Sequence, residues 1–212
     1  MKKLFSTLGM MALVSLCLFS SCKDEDYPAT ETVTTATANA AQVNAAATAA
    51  ANNAVAEALA AAQAAAPAGA TVVKTGANEV TTTNADGTKE VTTTSTSYTY
   101  EVNGVSYDDM DAAMAALSKL PAGSTATIVA VLHQTTTTQK YNADGTKNGA
   151  ATTKEDTAKG KETKIEVPEA GEAPEKVAVE VPTSVSDATQ SKSVDVTVAT
   201  AEKGKHSGGG VQ

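Results

Sequence analysis

Apolar positions take three forms between Tyr98 and Leu132, and each predicts an element. Tyr98, Tyr100 and Val102 alternate with polar residues, and Val105 and Tyr107 resume the alternation after Asn103-Gly104. Period two marks a half-buried strand, and Asn-Gly is the strongest short hairpin signal. A two-residue turn sets Val102 opposite Val105 and Tyr100 opposite Tyr107, so four large side chains share one face. The period then lengthens. Met110, Ala113, Met114 and Leu117 fall at i, i+3, i+4 and i+7, which predicts a helix with one apolar stripe. Asp108 or Asp109 suits its N-cap, and Pro121-Ala122-Gly123 stops it. "TATIVAVLHQT", residues 125–135, reads as a nearly continuous buried strand. Together these predict hairpin, helix and strand, with the helix covering one face of a small antiparallel sheet.

Outside this stretch large aliphatic side chains thin out. Residues 39–67 are alanine-rich and predict a helix, with Asn39 and Gln42 in capping-box spacing and Pro67 and Gly69 ending it. Val43, Ala47, Ala50, Ala54, Leu59, Ala62 and Ala66 trace a shallow apolar stripe, suited to lying on a small domain or to serving as a spacer. Asn-Ala-Asp-Gly-Thr occurs at 84–88 and again at 142–146, both times beside runs of threonine. It suits a type I turn closed by a glycine of positive φ, with β-branched strands on its flanks. Asp86 and Asp144 lack the alternating acids of a calcium loop, so turn chemistry accounts for them. After Thr157 the pattern loosens. "KIEVP", "KVAVEVP" and "SVDVTVAT" alternate like short strands between polar linkers, and Val177, Val179 and Val181 either join the sheet or stay extended. The glycine-rich end reads as a tail.

The expected fold class is α+β: a small antiparallel sheet of hairpins with one covering helix, preceded by an Ala-rich helix and followed by a poorly ordered tail. The expected organisation is a leader at 1–21, a flexible tether at 22–38, the Ala-rich helix at 39–67, a small β-rich domain at 70–157 and a loosely structured or disordered region at 158–212.

The first residues follow a different logic. Lys2 and Lys3 precede a nearly uncharged apolar run from Leu4 to Leu18, shorter than the roughly 20 residues that span a bilayer as a helix. Small residues Ser20 and Ser21 follow, then Cys22, in the pattern of a secretory leader with its cut site. Leu18-Phe19-Ser20-Ser21-Cys22 resembles the lipobox of bacterial lipoproteins, with Phe19 where that family usually has Leu. The resemblance implies that Cys22 becomes the lipidated first residue of the mature chain. Cys17 follows the bulky Leu16 and fits less well. The family's modification supplies more than one acyl chain, and each buried methylene contributes about 0.8 kcal/mol, so such an anchor is effectively permanent.

Lys23, Asp24, Glu25 and Asp26 come directly after the cysteine. This run resembles the acidic export signal of Bacteroidota surface lipoproteins, which implies an outer-membrane protein held by lipid and facing the cell exterior. The alternative address is the periplasmic face. The same charges also suit a solvated tether.

Composition narrows the chemistry. Removing residues 1–21 takes Lys2 and Lys3 from the 16 basic residues and none of the 24 acidic ones, so the net charge moves from −8 to −10. Such a surface repels nucleic acid and anionic headgroups, and the chain has no arginine for bidentate phosphate recognition. Both phenylalanines, Phe5 and Phe19, leave with the leader, and there is no tryptophan, which argues against a broad aromatic platform for sugars. Cys22, occupied by lipid, leaves no thiol for disulfides, nucleophilic catalysis or zinc.

Asp108, Asp109 and Asp111 form the acidic cluster of the expected domain, and His133 lies on the following strand. A hydrolase would use two such carboxylates as acid and base with His133 as proton carrier, but carboxylates at a helix start ordinarily serve capping and the dipole. No catalytic, cofactor-binding or metal residues are assigned, and no enzyme activity is expected. The expected role is a lipid-anchored, surface-displayed envelope protein with a binding, adhesive or structural task. Its partners are the membrane, through the lipid, and an envelope or extracellular protein; nucleic acid is excluded. The alternatives are a periplasm-facing structural lipoprotein and, further off, a hydrolase using Asp108, Asp109 and His133.

Overall fold

The structure is a computed structural model that describes residues 32–187 and 189–202. Cys22 and the acidic run Lys23 to Asp26 lie outside the described residues, as does the chain past Glu202. In chain order the elements are β1 (Thr32–Ala38), α1 (Ala40–Ala65), β2 (Thr71–Lys74), β3 (Glu79–Thr83), β4 (Lys89–Val102), β5 (Val105–Tyr107), α2 (Met110–Leu117), β6 (Thr125–Tyr141), β7 (Thr152–Lys159), β8 (Thr163–Glu166), β9 (Glu175–Pro182) and β10 (Ser191–Glu202).

Ten strands form two antiparallel sheets. One has seven strands, with β2, β3, β4, β6 and β7 side by side, β5 paired to β4 and β8 paired to β6. The other has three, in the order β1-β10-β9. Even-numbered residues of β4 and β6 face the second sheet and both helices; odd-numbered ones face away, as strand alternation requires.

The hairpin, helix and strand expected at 97–135 form as read. Val102 pairs with Val105 and Tyr100 with Tyr107, and both turn residues take positive φ, Asn103 at 50° and Gly104 at 79°. That is the twist a two-residue hairpin needs. Asp109 caps α2, its Oδ1 accepting the Ala112 N–H at 2.7 Å, and Met110, Ala113, Met114 and Leu117 are buried. The two Asn-Ala-Asp-Gly-Thr segments close hairpins of the expected kind. Asn84 and Asn142 each donate their main-chain N–H and side-chain amide across the loop, to the carbonyl and hydroxyl of Thr88 and Thr146, and accept from the Gly87 and Gly145 N–H groups.

Helix α1 begins at its expected cap, with Asn39 Oδ1 accepting from the Ala41 and Gln42 N–H groups. Gln42 does not close a capping box. Its amide grips β10 instead, donating to Asp195 Oδ2 at 2.9 Å and accepting the Asp195 N–H at 2.7 Å. A main-chain partner is available there, because Asn39 N–H already bonds the Asp195 carbonyl. Ala50 and Ala54 lie on the buried face as expected, whereas Ala46 is buried in place of Ala47, and Val55 joins them.

Three expectations give way. From 158 to Glu202 the chain is not loosely structured: it supplies β8, β9 and β10. Val179, Val181, Val194, Val196 and Val198 are fully buried in one cluster with Tyr100, Val102, Leu117 and Ile128. Alternate valines give each of these strands one apolar face, and the inner side of β4 and β6 is the apolar surface that can cover it. The tether expected at 22–38 is a strand from Thr32 on, running antiparallel to β10 from Thr32 opposite Glu202 to Ala38 opposite Val196. The single covering helix on a small sheet becomes two helices and a second sheet on a large one. The protein is thus mostly antiparallel β, with two helices.

Strands β7 and β8 are one path along β6, interrupted by a bulge. Lys159 lies opposite Val131 and Thr163 opposite Ile128, so three residues, Gly160 to Glu162, face two on β6. Strand β9 crosses closely here. A Cβ on Gly160 would sit 2.6 Å from the Glu180 carbonyl oxygen and 3.1 Å from that of Ala130. One turn of strand further, the Tyr98 hydroxyl donates to the Pro182 carbonyl at 2.6 Å. Pro182 is buried, and its missing N–H falls at a position that does not bond β10, since it is the neighbouring Thr183 N–H that bonds the Gln190 carbonyl.

Candidate functional site

The acidic cluster at 108–111 and His133 are not brought together. Asp109 is committed to the α2 cap, and its carboxylate lies close enough to the inner-facing Tyr100 to act on it. Asp108 and Asp111 are exposed. His133, an odd-numbered residue of β6, stands on the other side of the sheet with a ring nitrogen 2.9 Å from Thr99 Oγ1. An acid, base and proton carrier cannot share a substrate across a sheet.

His133 instead belongs to a broad hydroxyl-bearing surface. Ladder register places side chains of β4, β6 and β7 in rows: Thr93, Thr137, Thr153; Ser95, Thr135, Glu155; Ser97, His133, Thr157; Thr99, Val131, Lys159. Neighbouring strands stand about 4.8 Å apart and same-face residues about 6.8 Å along each strand, so the hydroxyls form a regular lattice. Among the described residues both helices and the second sheet pack on the opposite side. At one end Lys159 reaches Glu101, Nζ to Oε2, at 2.6 Å. Threonine explains why the face is both strand-forming and wet: its β-branch favours the pleat while its hydroxyl keeps water.

Behind this face lies an open cleft of about 470 Å³ between the C-terminal half of α1 and the inner side of the threonine-rich strands. It exists because Ala58, Ala61, Ala62 and Ala65 are too short to fill the space down to Thr92, Thr136 and Thr138. Its charged groups are already partnered. Asp156 pairs with Lys154 at 2.8 Å and Glu90 with Lys140 at 3.7 Å, while Glu57 Oε1 accepts from Ser184 and, at 2.7 Å, from Ser186. Glu57 thereby ties the 183–187 loop to α1. No group of three or more His, Cys, Asp or Glu side chains converges to hold a metal among the described residues.

The aspartates of the repeated turns are likewise occupied. Asp86 Oδ1 accepts from Thr88 N and Oγ1, and Asp144 Oδ1 does the same with Thr146. These hydroxyl and main-chain donors hold both carboxyls below the usual range. The two loops lie side by side, since a Cβ on Gly87 would meet Ala143 Cβ at 3.3 Å.

Tyr98 and Tyr100 stack with ring centroids 6.1 Å apart. Burial, and then the Asp109 carboxylate, push the Tyr100 phenol up to about 12; burial raises Tyr98 as well. A folded value above the unfolded value of about 10 means that the native state keeps its proton longer. The stabilisation is fully present below pH 10 and is lost as pH rises from about 10 to 12. The thermal midpoint should therefore hold steady to about pH 9 and fall beyond pH 10, with Tyr100 contributing roughly 1–3 kcal/mol of the loss. Titration of the midpoint checks this. Tyr100→Phe should flatten the alkaline fall, and an unchanged slope would assign it to other groups.

Comparison with protein-family models, curated proteins and solved structures finds no match for this chain, so the geometry of the sheet face and the cleft is what bears on function.

Proposed function

We propose that this chain is a lipid-anchored envelope protein, displayed on the cell surface, whose task is to present the uncovered face of its seven-stranded sheet to an envelope or extracellular protein partner. The observation that carries the binding role is the lattice of Ser95, Ser97, Thr135, Thr137 and Thr157, which no described element covers. Polar hydroxyls on a rigid sheet bind through many weak hydrogen bonds rather than one deep pocket. The anchoring role rests on the lipobox resemblance at Cys22 and the address on the Lys23-Asp24-Glu25-Asp26 run. Nine residues, 23–31, separate Cys22 from β1, a reach of at most about 30 Å when extended. No helix among the described residues is long and apolar enough to cross a membrane.

Two variants test the anchor and the address. Cys22→Ala should lose metabolic label from a fatty-acid analogue. Replacing Asp24, Glu25 and Asp26 together by alanine should keep the label and abolish antibody access on intact cells. Label persisting on Cys22→Ala would remove the lipoprotein reading, and undiminished access in the triple variant would reduce the acidic run to a tether.

A further inference from the structure

The edges of the two sheets are unequal. On β1 the outer edge is plugged by the α2 end, where Ser118 Oγ accepts the Ala36 N–H at 2.8 Å and Thr34 Oγ1 donates to the Leu120 carbonyl at 2.9 Å. The outer edge of β9 leans on Gly160 and Tyr98. Strand β2 is four residues long. Strand β7 has eight residues and, among the described residues, no strand paired to its outer edge. Gly160 N–H bonds the Ala130 carbonyl at 2.8 Å, continuing a ladder in which even-numbered residues of β7 bond to β6. The main-chain groups of Thr153, Glu155 and Thr157 therefore point away from the sheet, and none has a main-chain partner among the described residues. An edge of this kind is a template for another strand.

Charge decides which strand fits. We infer that β7 pairs antiparallel with β7 of a second copy, about a two-fold axis at Thr157. That register sets Glu155 opposite Lys159 of the second copy, and the two-fold repeats the pair, giving two complementary contacts on the outer face. On the inner face Asp156 meets Ala158 and Lys154 meets Gly160. The neighbouring registers are worse. An axis at Lys154, Glu155, Asp156 or Lys159 puts like charges directly opposite each other, which destabilises a strand pair, and an axis at Ala158 sets Glu155 and Lys154 opposite Lys161 and Glu162, which lie in the bulge past the end of β7. A closed two-fold contact also explains how a long exposed edge avoids open-ended growth, because each β7 is used up by one partner. The hydroxyl lattice then continues across the joint from one copy to the other.

The chain from residue 22 onward, with Cys22 replaced by serine, should show reversible dimerisation in sedimentation velocity between about 1 μM and about 1 mM. Glu155→Lys alone and Lys159→Glu alone should each weaken the dimer about tenfold, and the two changes together should restore it. Thr157→Cys should form a disulfide dimer on mild oxidation, since residues opposite each other in a hydrogen-bonded pair have Cα atoms about 5.5 Å apart, within disulfide range. Circular dichroism on each variant separates loss of pairing from loss of fold. A monomer at every concentration overturns the inference. So does a dimer indifferent to both charge reversals, which would lie on another surface.

Discussion

A chain lacking residues 191–202 should show no cooperative unfolding transition. Those residues are β10, the middle strand of the three-stranded sheet, so their removal strips β1 and β9 of their ladder partner at once. Val194, Val196 and Val198 leave with them, all fully buried against the inner faces of β4 and β6. Burying one such side chain contributes about 1.5–3 kcal/mol. Three amount to roughly 5–9 kcal/mol, comparable with the whole stability of a typical domain. The remaining sheet would also expose Ile128, Ala130 and Val102 to water. Val33→Ala is the contrasting change: that side chain is 44% exposed, and its loss should leave the melting curve nearly where it was. Circular dichroism melts decide the matter. A sharp transition in the truncated chain would mean that the seven-stranded sheet and its helices stand alone.

Gly160→Val should destabilise about as much as a large-to-small change in the core. Even one added carbon lies 2.6 Å from the Glu180 carbonyl oxygen, 3.0 Å from the Pro182 ring and 3.1 Å from the Ala130 carbonyl oxygen. Two of these neighbours are backbone and cannot rotate away. To admit valine, β9 must lift from the bulge between β7 and β8. That movement breaks the Tyr98 to Pro182 hydrogen bond and opens the cluster around Val179 and Val181. Overpacking of a tight site costs about 1–3 kcal/mol, and loss of the buried hydrogen bond about 1–3 more. For a chain of this size the thermal midpoint should fall by on the order of 10 °C. Gly160→Ala should fall between wild type and valine. A valine variant that melts like wild type would mean that β9 does not press on this bulge.

The parts that were legible in the residues are those whose partners lie close in sequence. Val102 and Val105 are joined by a two-residue turn, and the stripe on α2 needs only its own periodicity, so local pattern and observed structure agree. The alternating valines of β10 carried a strand signal too. What they could not carry was the identity of the covering surface, which lies on β4 and β6, or of the ladder partner β1, a threonine-alanine strand that looks like a tether when read alone. Pairing between distant segments leaves no mark on either one. The candidate surface was half legible for the same reason. Threonine runs announced strands, but which hydroxyls stay uncovered depends on where α1 and the second sheet land. His133 shows the limit most plainly, since its side of the sheet, and so its separation from Asp109, followed from register alone.

The pairing of Thr32 with Glu202 joins the two ends of the described chain in one ladder. A polypeptide that emerges N-terminus first, from a ribosome or from a translocation pore, brings out β1 long before the strand it must bond. Until β10 follows, the apolar sides of β4 and β6 also lack their cover. Contacts of such long range are slow to form and reward the chain only when both ends are present. Closure of the sandwich thus waits for residues 191–202, and a chain that ends before them has neither the ladder partner of β1 nor the cover for β4 and β6.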